Sequence, residues 1–201
     1  MYSNNTLYKR IIRELNDLKN YENISKLELV FPFENDPIPF NIRTMYCKDT
    51  PYIRVKIDEN DLVFAFNQSY PFRPPILLIN NIDSIEYFNV TNLFFNNLKN
   101  QNLIQNNSII QNKEKDIPFQ YEMIDELKKK YNFKCLCCET LLCPGKGKWS
   151  PAIHLDVLLD EYKKFKNIKT YLNSYGALLE LNKCLGNILP IEMIEHIKSY
   201  L

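Results

Sequence analysis

With 201 residues, 45% hydrophobic and 24% charged, the chain is of ordinary domain size with enough apolar material for a core; disordered and fibrous classes are excluded. Lysine plus arginine (25) nearly balances aspartate plus glutamate (24), and a net charge of +1 lacks the electrostatic footprint of a nucleic-acid-binding protein. Four glycines against eleven prolines argue against a glycine-rich phosphate- or dinucleotide-binding fold.

From Thr6 to Tyr21 the residues Leu7, Ile11, Leu15 and Leu18 recur at helical spacing, with Lys9, Arg10 and Arg13 on the other face. Strands follow where Leu27, Leu29 and Phe31 alternate with other residues, then Ile53, Val55 and Ile57, then Leu62, Phe64 and Phe66, the last two joined by a turn at Asp58 to Asp61. Ile76 to Ile79 is a short buried strand after a proline cluster, which makes a four-stranded antiparallel meander. Residues 80–133 change character: Asn-Asn pairs and a polar tract predict an insertion that is mostly loop, with a short helix near 92–98 and another at 121–131. Leu155, Leu158, Leu159 and Tyr162 mark a further amphipathic helix. Another spans Ala177 to Leu185 and ends at Gly186, and the last runs from Pro190 to Leu201. The opening MYSNNTLYKR has no apolar signal-peptide segment, and no run approaches the roughly 18 apolar residues of a membrane span, so a soluble, intracellular chain without a membrane partner is expected.

Four of the six cysteines, Cys135, Cys137, Cys138 and Cys143, crowd into nine positions, a pattern that suits a reactive thiol or a metal better than a disulfide framework. As a zinc site the set would combine the C-x-x-C of Cys135 and Cys138 with Cys143 and either Cys137 or His154. Adjacent cysteines close a tetrahedron poorly, so the expectation is no metal and no other cofactor, with zinc as the alternative. His154 and His196 have no catalytic partner nearby in sequence and read as surface or capping residues.

Tyr70-Pro71-Phe72-Arg73-Pro74-Pro75, lying between two strands, resembles the YPFxPP signature of the ubiquitin-conjugating enzyme (UBC) fold family. The opening helix LYKRIIRELNDLKN is similar to that family's first helix. Trp149-Ser150-Pro151-Ala152 and the following HLDVLLDEY resemble its WSPA segment and second helix. The resemblance implies a single α+β domain over residues 1–201: an N-terminal helix, the four-stranded meander and C-terminal helices. It also implies transfer of ubiquitin or a ubiquitin-like modifier through a cysteine thioester, in the cytoplasm or nucleus. Cys138-Glu139-Thr140-Leu141-Leu142 looks like the family's CLDIL run, which makes Cys138 the first candidate nucleophile and Cys143 the second. A thiolate both attacks and leaves well, and Lys146 and Lys148 would favour it electrostatically. The family's His-Pro-Asn tripeptide is absent. Asn132 in YNFKC is the nearest counterpart for its oxyanion-stabilising amide.

By the same resemblance Lys9, Arg10 and Arg13 would bind the activating enzyme, and Phe72, Pro151 and Ala152 a ubiquitin ligase. The bare residue patterns also suit a solvated helix face and a core aromatic. The alternatives to catalysis are a non-catalytic UBC-like or RWD-like interaction module and a zinc-stabilised variant without transfer activity. A ligase adaptor is a third reading, because residues 187–201 resemble the opening helix of an F-box.

Overall fold

The computed structural model describes residues 6–31, 50–89, 127–130, 132, 140–143, 148–184, 189–198 and 200. Two compact units result: Met1–Phe88 with Cys138–Glu161, and Asn89–Cys137 with Tyr162–Leu201.

The first unit is α+β. It opens with helix α1 (Thr6–Leu18), whose inward stripe buries Ile11, Glu14 and Leu18. Five antiparallel strands follow in sheet order β1-β2-β3-β4-β5: β1 (Ile24–Val30), β2 (Tyr52–Ile57), β3 (Asn60–Ala65), β4 (Ile76–Ile79) and β5 (Ile82–Asp83). Register places Leu29 opposite Ile53, Ile53 opposite Phe64 and Phe64 opposite Leu77, so one sheet face is apolar across four strands. Ile53, Val55, Ile57, Leu62, Phe64, Leu77 and Ile79 are all fully buried there. The opposite face is split. Tyr52, Val63 and Leu78 cluster with Val30 and Ile76, while Lys26, Glu28, Arg54, Lys56 and Asp61 give a charged end where Arg54 grips Asp61 with both Nε and Nη2.

The meander thus has five strands where the sequence pattern gives four. The added strand follows from Asn80 and Asn81, both in the left-handed region at φ 51° and 65°, as a two-residue type I′ hairpin turn requires. Asn80 stitches this turn to the neighbouring one: its Oδ1 accepts the Asp61 amide at 2.9 Å and its Nδ2 donates to Asn60 Oδ1 at 2.7 Å. Asp83 then caps helix α2 (Ser84–Phe88), accepting the Ile85 amide at 2.8 Å. Residues 80–88 are therefore ordered structure, although their asparagine content reads as the start of a loop. The preceding turn is tighter than expected, with Asp58 at φ 52° and Asn60 already paired in β3. The short helix expected near 92–98 lies outside the described residues, as does most of the helix expected at 121–131, of which residues 127–130 are helical.

Helix α3 (Leu155–Cys184) is continuous for 30 residues, where two separate helices are expected. Gly176, with a helix cost of about 1 kcal/mol relative to alanine, is accommodated within it. Tyr162, Phe165, Ile168 and Leu172 carry a buried stripe toward it and outweigh that cost. In the second unit these residues are joined by buried Leu127 and by Ile194 of helix α4 (Ile191–Lys198), which follows Pro190. The Lys130 ammonium lies 5.6 Å from the centroid of the Tyr171 ring. Among the described residues no helix is long and apolar enough to cross a membrane.

Burial pulls the Lys169 ammonium of α3 down from its ordinary pKa of 10.5 to about 8. Below pH 8 the folded unit holds a charge that water would solvate better. Between pH 8 and 10.5 the unfolded chain binds more protons at this site, so its contribution to stability rises with pH across that window. After reductive methylation with a carbon-13 label, one lysine resonance should titrate near pH 8 and vanish in Lys169→Met.

Candidate functional site

The proline-rich crossing after β3 is built by local hydrogen bonds. Asn67 Oδ1 accepts the Ser69 amide at 2.7 Å and the Asn67 carbonyl accepts the Tyr70 amide at 3.1 Å. The Ser69 carbonyl takes the Arg73 amide at 3.1 Å. The Tyr70–Pro71 peptide bond is cis. Tyr70 is buried with its ring centroid 4.8 Å from that of Phe66, whereas Phe72 stands 80% exposed. An aromatic beside a buried strand is usually core; this one is directed to solvent because the turn reverses the chain after Tyr70.

The Trp149-Ser150-Pro151-Ala152 segment makes its own turn, in which the Ser150 carbonyl accepts the Ile153 amide at 2.9 Å and Ser150 Oγ accepts the Ala152 amide at 3.3 Å. Trp149 Nε1 donates to the Pro71 carbonyl at 2.7 Å, and the Tyr70 and Trp149 rings lie 6.2 Å apart. The two motifs, 78 positions apart, are thereby joined, with Phe72, Pro151 and Ala152 all exposed around the junction.

Behind this junction sits Glu14, fully buried. Its Oε1 accepts the Tyr70 hydroxyl at 2.9 Å and pairs with Arg10 Nε at 2.7 Å; its Oε2 accepts the Leu155 amide at 3.0 Å. Arg10 Nη2 donates to the carbonyls of Pro151 at 3.2 Å and Ile153 at 3.4 Å. Of the three cations expected to form one basic face, Arg10 is thus turned toward the protein's own loops, while Lys9 and Arg13 are exposed. Burial first, and then the Glu14 charge, push the Tyr70 hydroxyl above its ordinary pKa.

His154, at the start of α3, has its Nδ1 3.3 Å from Asp17 Oδ2 and 3.5 Å from Glu14 Oε2. Glu14, Asp17 and His154 bring three potential ligand atoms within 4.8 Å of one another. Arg10, Tyr70 and Leu155 already engage both oxygens of Glu14, so the described contacts account for this carboxylate without an added cation.

Compared with models of known protein families, with curated proteins and with solved structures, the chain matches none. Its residues alone bear on the chemistry.

Around the cysteines, the described residues begin at Thr140, and Cys135, Cys137 and Cys138 lie outside them. The segment just after Cys138 is anchored to α3 by Glu161. Glu161 Oε2 accepts the Thr140 hydroxyl at 2.8 Å and Oε1 the Leu141 amide at 2.9 Å, while Leu142 is buried. Cys143 is a half-buried free thiol whose amide donates to the Thr140 carbonyl at 3.2 Å. Asn132 is exposed in a turn of the second unit, at φ 54°.

Glu14 and Glu161 are the residues that sequence patterning overlooks. Glu14 falls in the apolar stripe between Ile11 and Leu18, at spacings of three and four, and a carboxylate in such a stripe is the signal that marks a buried, partnered charge. Glu161 carries no comparable signal, because its partners are a loop amide and a loop hydroxyl 20 and 21 positions earlier.

Proposed function

We propose that this chain is a UBC-like protein of a ubiquitin or ubiquitin-like conjugation pathway, and that it carries the modifier as a thioester on Cys138. The observation that supports this reading most is the hydrogen bond from Trp149 to the Pro71 carbonyl, which joins the two motif loops and leaves Phe72, Pro151 and Ala152 exposed together. An exposed aromatic flanked by small apolar residues on a hydrogen-bonded base suits a protein-docking surface. The occupant would be a ligase, with Lys9 and Arg13 available to an activating enzyme. The reading implies action in the cytoplasm or nucleus.

The chemistry asks little of the fold beyond a placed thiol. The Cys138 thiolate attacks the modifier's thioester on the activating enzyme and expels that enzyme's thiolate; a substrate amine then displaces Cys138. Anchoring of Thr140 and Leu141 by Glu161 restrains the chain two and three residues beyond the nucleophile.

The test is to incubate the protein with ubiquitin, activating enzyme and ATP, and then with other common modifiers and their activating enzymes. A thiol-reducible adduct should appear and be absent in Cys138→Ser. Persistence in Cys138→Ser with loss in Cys143→Ser transfers the role to Cys143. No adduct with any modifier overturns the enzyme reading in favour of the interaction module. Metal analysis of the purified protein tests zinc separately: one bound ion lost on mutation of Cys135 would make Cys138 a ligand instead of a nucleophile.

A further inference from the structure

The exposed turns carrying Phe72 and Pro151–Ala152 are tied to one buried carboxylate. Glu14 Oε1 holds the Tyr70 hydroxyl, two residues before Phe72, and Oε2 holds the Leu155 amide, three residues after Ala152. Arg10, one helical turn earlier on α1, adds Nη2 contacts to the Pro151 and Ile153 carbonyls while its Nε pairs with Glu14 at 2.7 Å. Position 14 lies in the apolar stripe of α1, where leucine would suit the burial pattern. Replacing a buried ion pair with well-packed apolar residues is often neutral or stabilising, so stability alone does not explain a glutamate here. Apolar contact would permit the loops to slide, whereas charge-assisted hydrogen bonds are short and directional and fix the groups they join.

We propose that Glu14, together with Arg10, is the positioning residue of this surface: the carboxylate holds the Phe72 turn and the Pro151–Ala152 turn in the one relative placement on which a partner domain docks. The docking role rests on the reading given under Proposed function; the positioning itself does not. Trp149 bridges the two turns, and it is the only tryptophan in the chain, so its fluorescence reports their arrangement directly.

The experiment uses the full chain without activating enzyme or modifier, so failure of thioester formation leaves it unaffected. Glu14→Gln keeps the size of the side chain but removes the charge and one acceptor. Trp149 emission should shift to the red and become more accessible to acrylamide. The amide resonances of Phe72 and Ala152 should move, while those of Val55 and Leu62 in the sheet stay in place. Wild-type emission with unmoved Phe72 and Ala152 resonances overturns the proposal. So does a uniform shift that includes the sheet, which would make Glu14 a support of the whole unit. Should Glu14→Gln fail to fold, Tyr70→Phe and Arg10→Met each cut one tether. The first should displace Phe72 and the second Ala152, and immobility of both resonances in these variants overturns the proposal equally.

Discussion

Replacing Glu14 with alanine is expected to lower the unfolding free energy of the first unit by about 3–5 kcal/mol, the usual cost of removing one member of a buried charge pair. The variant leaves the Tyr70 hydroxyl and the Leu155 amide without their acceptor, and leaves the Arg10 guanidinium, still bonded to the Pro151 and Ile153 carbonyls, without its counter-charge. Each abandoned group then bears its desolvation cost, and the charged one bears most. Asp17→Ala is the control. Asp17 also faces His154, but its side chain is 44% exposed, and its loss should change stability by no more than about 0.5 kcal/mol. Urea denaturation followed by Trp149 fluorescence reads this unit selectively, which matters because a chain of two compact units need not unfold in one step. Equal midpoints for wild type and Glu14→Ala would show that water reaches the carboxylate.

The same cluster marks how far the sequence could be read. Helix α1 and strands β1 to β4 were legible because their apolar residues repeat with the period of the element, and burial follows that period: Ile11 and Leu18 on the helix, Ile53, Val55 and Ile57 on one strand. Strand β5 was hidden by composition. Asn80 and Asn81 count as loop residues until their left-handed backbone is seen, after which they form the turn that makes a fifth strand. Helix α3 is continuous where two helices are expected, because the buried Phe165, Ile168 and Leu172 carry the apolar stripe across the segment between them.

At the site, Tyr70, Phe72, Trp149 and Pro151 stood out as motif residues, but the bonds among them did not. Arg10 and Pro151 are 141 positions apart, and periodicity carries no information over such a span. Arg10 accordingly resembled its neighbours Lys9 and Arg13, although it faces inward and they face solvent. The anchoring of Thr140 and Leu141 by Glu161 was invisible for the same reason. Local patterns predict elements; which loops share a carboxylate is decided by how those elements pack.

Two phenylalanines, eight positions apart, give the sharpest contrast available to experiment. Phe64 is fully buried at the centre of the sheet, opposite Ile53 and Leu77, and Phe64→Ala should cost about 3–5 kcal/mol through lost burial and the cavity left behind. Phe72, 80% exposed, has little packing to lose, and Phe72→Ala should leave stability within about 0.5 kcal/mol of wild type. Comparison of urea midpoints tests both. A large loss at Phe72 would mean that its ring is covered in solution and that the exposed junction does not exist.

A ring that adds nothing to folding keeps apolar area in water, and a docking partner is what would remove that area from solvent. On the proposed function, Phe72→Ala should therefore still load Cys138 with modifier, while ligase-stimulated discharge of that thioester falls by at least tenfold. Tenfold corresponds to about 1.4 kcal/mol of lost partner affinity, less than the 2 kcal/mol or more assigned to a central aromatic anchor. Loading and folding intact with discharge lost would place the defect at the surface around Phe72. Loss of loading together with discharge would instead assign Phe72 to the activating enzyme's footprint.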